Sequence, residues 1–434
     1  MSSPLKLGVA GLGTVGASLV RLLGENGEAY ERRSGRPIAV AAVAARDRAK
    51  DRGIDLGAFQ WFDDPVELAA KAEIDVFVEL VGGAEGAALE SVKAALNRGL
   101  PVVTANKALL AHHGVALAKL AARKNTVIAF EAAVAGGIPI IKTLREALRG
   151  NMVSRVYGIL NGTCNYMLTR MEREKLSFEA CLAEAQRLGY AEADPTFDIG
   201  GFDAAHKLTI LTSLAFGSEI DLESVFIEGI ERISAEDIEA AAELGFRIKL
   251  LAVAQRTESG IEQRVHPAMI PASSALAQVD GVTNAVAVDT DLLGSILLAG
   301  PGAGGNATAS AVLSDVLDVA TGARIPTFGV APTGLVPYRR ARMRAHEGGY
   351  YIRLTVHDRV GVFASVARRM AENAISLESI VQRKRAGHEA DAEAPVILIT
   401  HETTEAAVRK AIDAISRDGH LSGEPRMIRI EPLD

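Results

Sequence analysis

Apolar positions in the first third of the chain gather into short unbroken runs: Leu5 to Ala10, Ile38 to Ala45, Ile74 to Val81, Val102 to Thr104 and Val127 to Phe130. Runs of this length without alternation predict strands covered on both faces, as in a parallel sheet. Helical spacing takes over between several of them. Val15, Leu19, Leu22 and Leu23 recur along one helix face directly after Gly11-Leu12-Gly13-Thr14-Val15-Gly16. Strand, tight turn and helix in that order predict a doubly wound, mostly parallel α/β sheet over residues 1–135.

Beyond Gly136-Gly137-Ile138-Pro139 the pattern changes. A helix from about Ile140 to Leu148 leads into mixed strands and long helices, which reads as a second, α+β domain over 136–300. Glycine then concentrates at Gly300-Pro301-Gly302-Ala303-Gly304-Gly305, and the helical run Ala309 to Ala320 follows, so that 301–325 is placed to return and cover the first domain. Residues 326–348 hold Pro326, Pro332, Pro337 and the segment Arg339-Arg340-Ala341-Arg342-Met343-Arg344, with little periodicity; they read as a linker. From 349 to 434 the pattern is a small separate βαββα module: strand Tyr351 to Val356, helix Val362 to Asn373, strands Leu377 to Gln382 and Val396 to Thr400, and helix Glu405 to Ile415. A strand at Met427 to Ile430 closes it.

Composition narrows the classes of function. With 434 residues, 48% hydrophobic and 23% charged, the chain is globular and long enough for two or three domains. A net charge of -7 and 5% aromatic residues argue against nucleic-acid binding and favour small-molecule work. Cys164 and Cys181, the two cysteines, form neither a disulfide framework nor a zinc site, which fits a reducing cytoplasm. No signal-like start precedes Leu5, and no apolar run approaches the ~20 residues that cross a bilayer.

The glycine string has a mechanical reading. Gly11 permits the tight turn, Gly13 lets a pyrophosphate approach the backbone, and Gly16 allows helix and strand to pack closely, with the helix N-terminus of Thr14 and Val15 facing the phosphates. That is a Rossmann-type dinucleotide site, against the alternative of a glycine turn of packing value only. The second strand ends Ala44-Ala45-Arg46, where an NAD site usually carries an acid; Arg46 suits a 2′-phosphate, so the reading leans to NADP over NAD. Arg48, Lys50 and Arg52 add charge but alternate with Asp47 and Asp51, which leaves a solvated helix start as the rival interpretation.

Further along, Lys107 follows a strand end in Thr104-Ala105-Asn106-Lys107, the place where open α/β sheets put ligands, though a surface lysine would sit there equally well. The densest polar stretch runs from Gly189 through Glu192, Asp194 and Asp198 to Asp203 and Lys207. Asp203 and Lys207 stand four apart on a helical face that continues through Ile210, Leu211 and Leu214, so this lysine is expected on the buried side. A buried ammonium is costly unless paired, and burial tunes it towards proton transfer. The alternative is an ordinary i, i+4 ion pair at a helix start. His206 lies off that face and reads as structural or exposed. Cys164, with no base evident beside it, is a weak nucleophile candidate.

These segments resemble the homoserine dehydrogenase family over nearly the whole chain. The run from Ala185 through Gly189, Asp194-Pro195, Asp198, Gly201 and Asp203 to Lys207 is similar to its signature, and Val78 to Gly83, Thr104 to Lys107 and Gly300 to Gly304 to its other recurring segments. The resemblance implies reversible NAD(P)H-dependent reduction of L-aspartate 4-semialdehyde to L-homoserine, within threonine, methionine and isoleucine biosynthesis. Lys207 would be the acid that protonates the forming alkoxide, and Lys107 would hydrogen-bond the reacting oxygen. Glu192 and Asp203 would hold the substrate's ammonium and hydroxyl ends with support from Asp198, and Gly162 and Thr163 would meet its carboxylate. Thr104, Lys107 and Gly304 join the glycine turn and Arg46 in coenzyme binding. Main-chain carbonyls of Glu131, Val134, Gly136 and Ile138 would hold a structural sodium ion; the residues alone suggested only a domain hinge there.

The C-terminal module resembles an ACT domain, a βαββαβ amino-acid-sensing unit, with Asp358-Arg359-Val360-Gly361-Val362 at its glycine turn and Val360 in place of a frequent proline. L-threonine feedback is the regulatory expectation, against a module that only mediates assembly. A homodimer or homotetramer is implied, with the central domain supporting dimerisation. Two other readings compete: a different Rossmann oxidoreductase on an amino-acid substrate, and a nucleotide-and-amino-acid sensor without catalysis.

Overall fold

The computed structural model describes residues 3–341, 347–357, 359–382 and 393–433. β1 (Leu5–Ala10) runs into α1 (Thr14–Ser34), β2 (Ile38–Ala44), β3 (Gln60–Phe62), α2 (Pro65–Lys71), β4 (Val76–Glu79), α3 (Ala87–Asn97), β5 (Val102–Thr104), α4 (Lys107–Arg123) and β6 (Ile128–Ala129). The six strands form one parallel sheet in the order β3-β2-β1-β4-β5-β6. Caps fix the helix starts: Asp64 accepts from Val66 N before the Pro65 opening of α2, and Asn106 accepts from Leu109 N to open α4. Because Asn106 ends that turn, Lys107 stands first in its helix, at the carboxyl edge of the sheet.

After a turn of α5 (Ile140–Lys142), residues Thr143–Ala147 widen into a π-helix, with Leu148 N donating to Thr143 O. The single regular helix expected over Ile140 to Leu148 is thus split, as π-bulges commonly do at functional regions. Then follow β7 (Val153–Ile159), α6 (Gly162–Glu174), α7 (Phe178–Arg187), α8 (Thr196–Ile199), α9 (Phe202–Phe216), β8 (Phe226–Ile227), α10 (Ala235–Glu243), β9 (Phe246–Thr257), β10 (Gly260–Pro271), β11 (Thr283–Thr290) and β12 (Gly294–Pro301). Next, α11 (Gly305–Ala320) turns back to the first sheet: Ala309, Val312, Leu313 and Val316 share one core with Leu7, Val9, Leu19 and Leu23.

The last part comprises β13 (Glu347–His357), α12 (Val362–Glu372), β14 (Leu377–Gln382), β15 (Glu393–Thr400), β16 (Thr403–Thr404), α13 (Glu405–Arg417) and β17 (Arg426–Ile430). It is less separate than its periodicity suggests. β17 pairs antiparallel with β13 and parallel with β10, Ala268 beside Arg429 and Met269 beside Ile430, so one 11-stranded sheet runs through both parts. Hydrophobic runs reveal strands but not which sheet edges meet, and an unpaired edge at β10 is closed by this strand. Across the same seam Arg353 grips the buried Asp237 through Nε at 2.7 Å and Nη2 at 3.2 Å, and Tyr351 adds its hydroxyl at 3.2 Å.

The proline-rich stretch before β13 is pinned rather than loose. Val336 N donates to Gly217 O, Ile261 N to Arg339 O and Ala341 N to Ile261 O. Arg342, Met343 and Arg344 lie outside the described residues.

Candidate active site

Two clefts open along the carboxyl edge of the parallel sheet. At the glycine turn, Gly11 has φ +97°, and a Cβ there would stand 2.3 Å from Leu80 O; on Gly16 it would stand 2.0 Å from Gly11 O. Neither position admits a side chain. Gly13, by contrast, faces open space and caps α1 without a side-chain acceptor, so the N–H groups of Thr14 and Val15 are left to an incoming anion. This is a cradle shaped for a pyrophosphate. One cleft, ≈ 660 Å³, leads from Gly11 and Gly13 to Arg46 and Lys50; the other, ≈ 540 Å³, leads from Val15 past Lys107 to Lys207 and is walled by Gly162, Thr163, Tyr190 and Gly304.

The segment after β2 is a bent loop, not a helix start. Asp47 and Asp51 spend their carboxylates on Ala49 N and Gly53 N, and Arg48 lies 5.7 Å over the Trp61 ring.

At the floor of the second cleft, Asp203 is the centre of a buried ionic cluster. Its Oδ2 accepts from Lys207 Nζ at 2.7 Å and from Asn161 Nδ2 at 2.9 Å, while Oδ1 lies 3.0 Å from Lys107 Nζ. Lys207 also donates to Leu160 O at 2.7 Å. Asn161 gives its other amide hydrogen to Asp198 Oδ1 at 2.9 Å, and its own oxygen caps α6 through Cys164 N. Burial alone would raise the Asp203 carboxyl, but Lys207 and Lys107 overcome it and hold the group well below the usual carboxylate range. Burial works to lower the Lys107 ammonium; the charges of Asp203, Asp198 and Glu192 outweigh it and leave it raised. Asp198 is raised by burial against the pull of Asn161.

The structure therefore brings Lys107, Lys207, Asp198, Asp203, Gly162 and Thr163 to one cleft. Glu192 stays exposed on its own segment and reaches Lys107 only through its charge. Thr104 comes to the strand end, yet its buried hydroxyl is spent on Glu79 Oε2 at 2.6 Å. Sequence reasoning missed Glu79 and Asn161. Glu79, fully buried at the end of β4, also accepts from Val81 N and Gly82 N and so shapes the turn beside the glycine motif. Its position at a central strand end was the available signal. Asn161 could have been found as an N-cap residue before α6.

His206 is half-buried, edge-on to Phe197 and His112, and burial with His112 and Lys107 nearby lowers it to about 4, so it stays neutral. Cys164 is buried, donates to Asp198 O and is pushed well above the usual thiol range by burial and the surrounding acids, which removes it as a nucleophile.

Beneath the cleft, Glu131, Val134, Gly136 and Ile138 are all buried, and Ala135 and Gly136 take φ values of 55° and 50°. Among the described residues no N–H group is bonded to the carbonyl oxygens of Val134 or Gly136. Two unclaimed carbonyls in a buried turn fit a hard monovalent cation. The Glu131 side chain is not part of that set, since it accepts from Ile141 N and Lys142 N.

A Rossmann sheet with an open phosphate cradle, joined to a cleft of paired lysines and carboxylates, defines a nicotinamide-dependent oxidoreductase. Family comparison narrows this further. The family described as "Homoserine dehydrogenase, NAD binding domain" matches residues 11–131, "Homoserine dehydrogenase" matches 139–317 and "ACT domain" matches 350–417. The homoserine dehydrogenase of Pseudomonas aeruginosa is 45% identical, the alignment covering 99% of this chain and 100% of that one; that of Bacillus subtilis is 38% identical over 93% and 92%. A solved homoserine dehydrogenase from Thiobacillus denitrificans superposes with a TM-score of 0.93 at 43% identity, covering 100% of this chain and 99% of the other. A hyperthermophilic archaeal homoserine dehydrogenase solved in complex with NADPH gives 0.63 at 28% identity, over 73% of this chain and 97% of its own. The chain belongs to the homoserine dehydrogenase family, and it is an oxidoreductase of that activity.

The depressed Asp203 carboxyl has a pH consequence. Because the folded group is more acidic than the unfolded one, its stabilisation is complete above the unfolded value of about 4 and is lost as pH falls towards the folded value. Asp203→Asn should cost about 3–5 kcal/mol at neutral pH, having left two ammonium groups facing a neutral amide. Its melting temperature should also fall less steeply than the parent's below about pH 4. Equal slopes in the two proteins would mean that Asp203 is not held ionised.

Proposed function

We propose that this enzyme interconverts L-aspartate 4-semialdehyde and L-homoserine with NADP(H), or NAD(H), in the biosynthesis of threonine, methionine and isoleucine, and that Lys207 is its general acid and base. The observation that carries the reading is the Asp203 cluster, two ammonium groups held by one buried carboxylate at a cleft wall. When bound, the dihydronicotinamide supplies the hydride that converts the aldehyde carbon to an alkoxide. Lys207 gives its proton to that oxygen in reduction and takes it back in oxidation. Among the described residues, Asp203 and Leu160 use two of its three donors, which leaves one for the substrate. Lys107 steadies the same oxygen. Asp203, Asp198 and Glu192 supply negative charge for the substrate's ammonium and hydroxyl, and the start of α6 at Gly162 and Thr163 receives its carboxylate.

For the coenzyme, the reading assigns the pyrophosphate to the turn Gly11 to Gly16, the nicotinamide side to Thr104, Lys107 and Gly304, and a 2′-phosphate to Arg46. A sodium ion at the carbonyls of Glu131, Val134, Gly136 and Ile138 would fasten the turn beneath the cleft and take no part in hydride transfer. The chain is assigned to the cytoplasm as a homodimer or homotetramer; no helix among the described residues is long and apolar enough to cross a membrane. The C-terminal module is read as a threonine sensor, supported by its ACT family match and by the left-handed Gly361 that opens α12. Val360 is fully exposed at that turn, and Asp358 lies outside the described residues.

Three outcomes are expected. With L-homoserine, Lys207→Ala should lose roughly 10²–10⁴-fold in kcat while coenzyme still binds; turnover equal to the parent would discard the lysine mechanism. L-Threonine should lower the rate or raise the melting temperature, and a titration that moves neither would leave the module a purely architectural role. Replacing choline chloride by sodium chloride at equal ionic strength should raise the melting temperature, and no difference between the salts would retire the cation site.

A further inference from the structure

In the loop after β2, every charged group except Arg46 and Lys50 is engaged within the protein. Arg52 is the most heavily committed: its Nε donates to Leu12 O at 3.0 Å, Nη1 to Lys50 O at 2.7 Å and Nη2 to Asp47 O at 2.6 Å. Three backbone carbonyls thus close on one planar guanidinium, and one of them lies between Gly11 and Gly13 of the phosphate cradle. Arg52 is half-buried, whereas Arg46 and Lys50 are exposed and line the cleft, and their side chains have no hydrogen bond or ion pair among the described residues. The acids of the same cleft are occupied as well, Asp63 by Trp61 Nε1 at 2.7 Å and Asp64 by Val66 N at 2.8 Å. What this end of the cleft offers is two unpaired cations on a loop whose backbone is tied to the dinucleotide turn by a third.

We infer that Arg52 is a positioning residue for coenzyme discrimination: it does not bind the coenzyme phosphate but fixes the loop backbone that presents Arg46 and Lys50 to a 2′-phosphate monoester. Three of the five N–H groups of the guanidinium, at least one on each of its nitrogens, are taken by carbonyls, and its fork geometry is suited to holding three acceptors in one plane. Held by their carbonyls, Asp47 and Lys50 fix the backbone next to Arg46 and at Lys50 itself, the two cations besides Arg52 that line the cleft. Phosphate recognition depends on that placement, because a charge displaced towards solvent loses most of its attraction to screening. The inference rests on the assignment of a 2′-phosphate to Arg46.

Homoserine oxidation with NADP+ and with NAD+ by the parent, Arg52→Ala and Arg52→Gln enzymes tests it. In R52A the KM for NADP+ should rise about tenfold or more with kcat little changed, while the KM for NAD+ stays within about twofold; R52Q, retaining one or two donors, should fall between. Adenosine 2′,5′-bisphosphate should weaken as an inhibitor in parallel, and 5′-AMP should not. A rise shared equally by both coenzymes would reduce Arg52 to general loop support, and an unchanged NADP+ KM in both variants would overturn the role outright. NAD+ turnover reports folding in the same assay; were R52A inactive with both coenzymes, the R52Q ratio decides. A parent that uses the two coenzymes equally would retire the 2′-phosphate assignment itself, whereas a parent that prefers NADP+ and a variant that keeps that preference would retire only the inference about Arg52.

Discussion

The buried Asp203 carboxylate sets the terms for the rest of the molecule. A carboxylate withdrawn from water is stabilised only if opposite charge and hydrogen bonds meet it in good geometry, since its desolvation costs several kcal/mol. Here the partners come from different parts of the fold. Lys207 stands one turn further along α9, Lys107 opens α4 on the parallel sheet, and Asn161 ends the connection between β7 and α6. The relative position of the sheet and the second domain is therefore fixed by the same contacts that arm the cleft. Any drift between them would expose or unpair a charge, so architecture and site chemistry answer to one constraint.

A second joint works differently. The C-terminal strand β17 lies between β10 and β13 and continues the sheet from one domain into the next, while Arg429 holds Glu405 at the start of α13 and sits 4.9 Å from the Phe226 ring of β8. On the far side of β8, Glu228 N donates to Val265 O and Ile230 N to Ile199 O, directly after Asp198. Sheet hydrogen bonds and one arginine thus connect the module to the backbone that carries the acidic side of the cleft. Coupling through such a seam needs an element with two arrangements, and continuity alone supplies only the route.

Legibility in the sequence followed the range of the interaction. The parallel strands, the glycine turn and the helix carrying Asp203 and Lys207 each depend on neighbours within a few residues, and the apolar runs with their spacing revealed them. Lys207 was expected on a buried face, and it is buried. Contacts between distant segments were not readable. Glu79 bonds to Thr104 and Asn106, which lie 25 and 27 residues away, and although its place at a central strand end marks the acid, the local pattern does not say which distant groups it holds. The union of β10 with β17 was hidden for the same reason. Arg52 shows a third limit: among Arg46, Arg48, Lys50 and Arg52, charge alone cannot separate the cations that face a ligand from those that hold the backbone, because the difference lies in which carbonyls come within reach.

The two clefts solve opposite electrostatic problems. Around Asp203 the charges nearly cancel, two lysines against Asp203 and Asp198, so a small zwitterion entering there exchanges partners without adding net charge to a poorly solvated place. At the far end, the side chains of Arg46 and Lys50 face solvent with no internal partner among the described residues, and a phosphate there would add the missing charge. The open turn at Gly13 lies between the two, where backbone N–H groups and a helix N-terminus favour negative charge without any side chain. A long polyanionic ligand is thus favoured in one orientation only, its phosphates towards the exposed cations and its uncharged end towards the neutralised cluster. Such a charge layout would orient a ligand of this kind before shape is considered, and at the buried end, where water is scarce, the proposed proton transfer from lysine to a developing alkoxide would be favoured by the low effective dielectric.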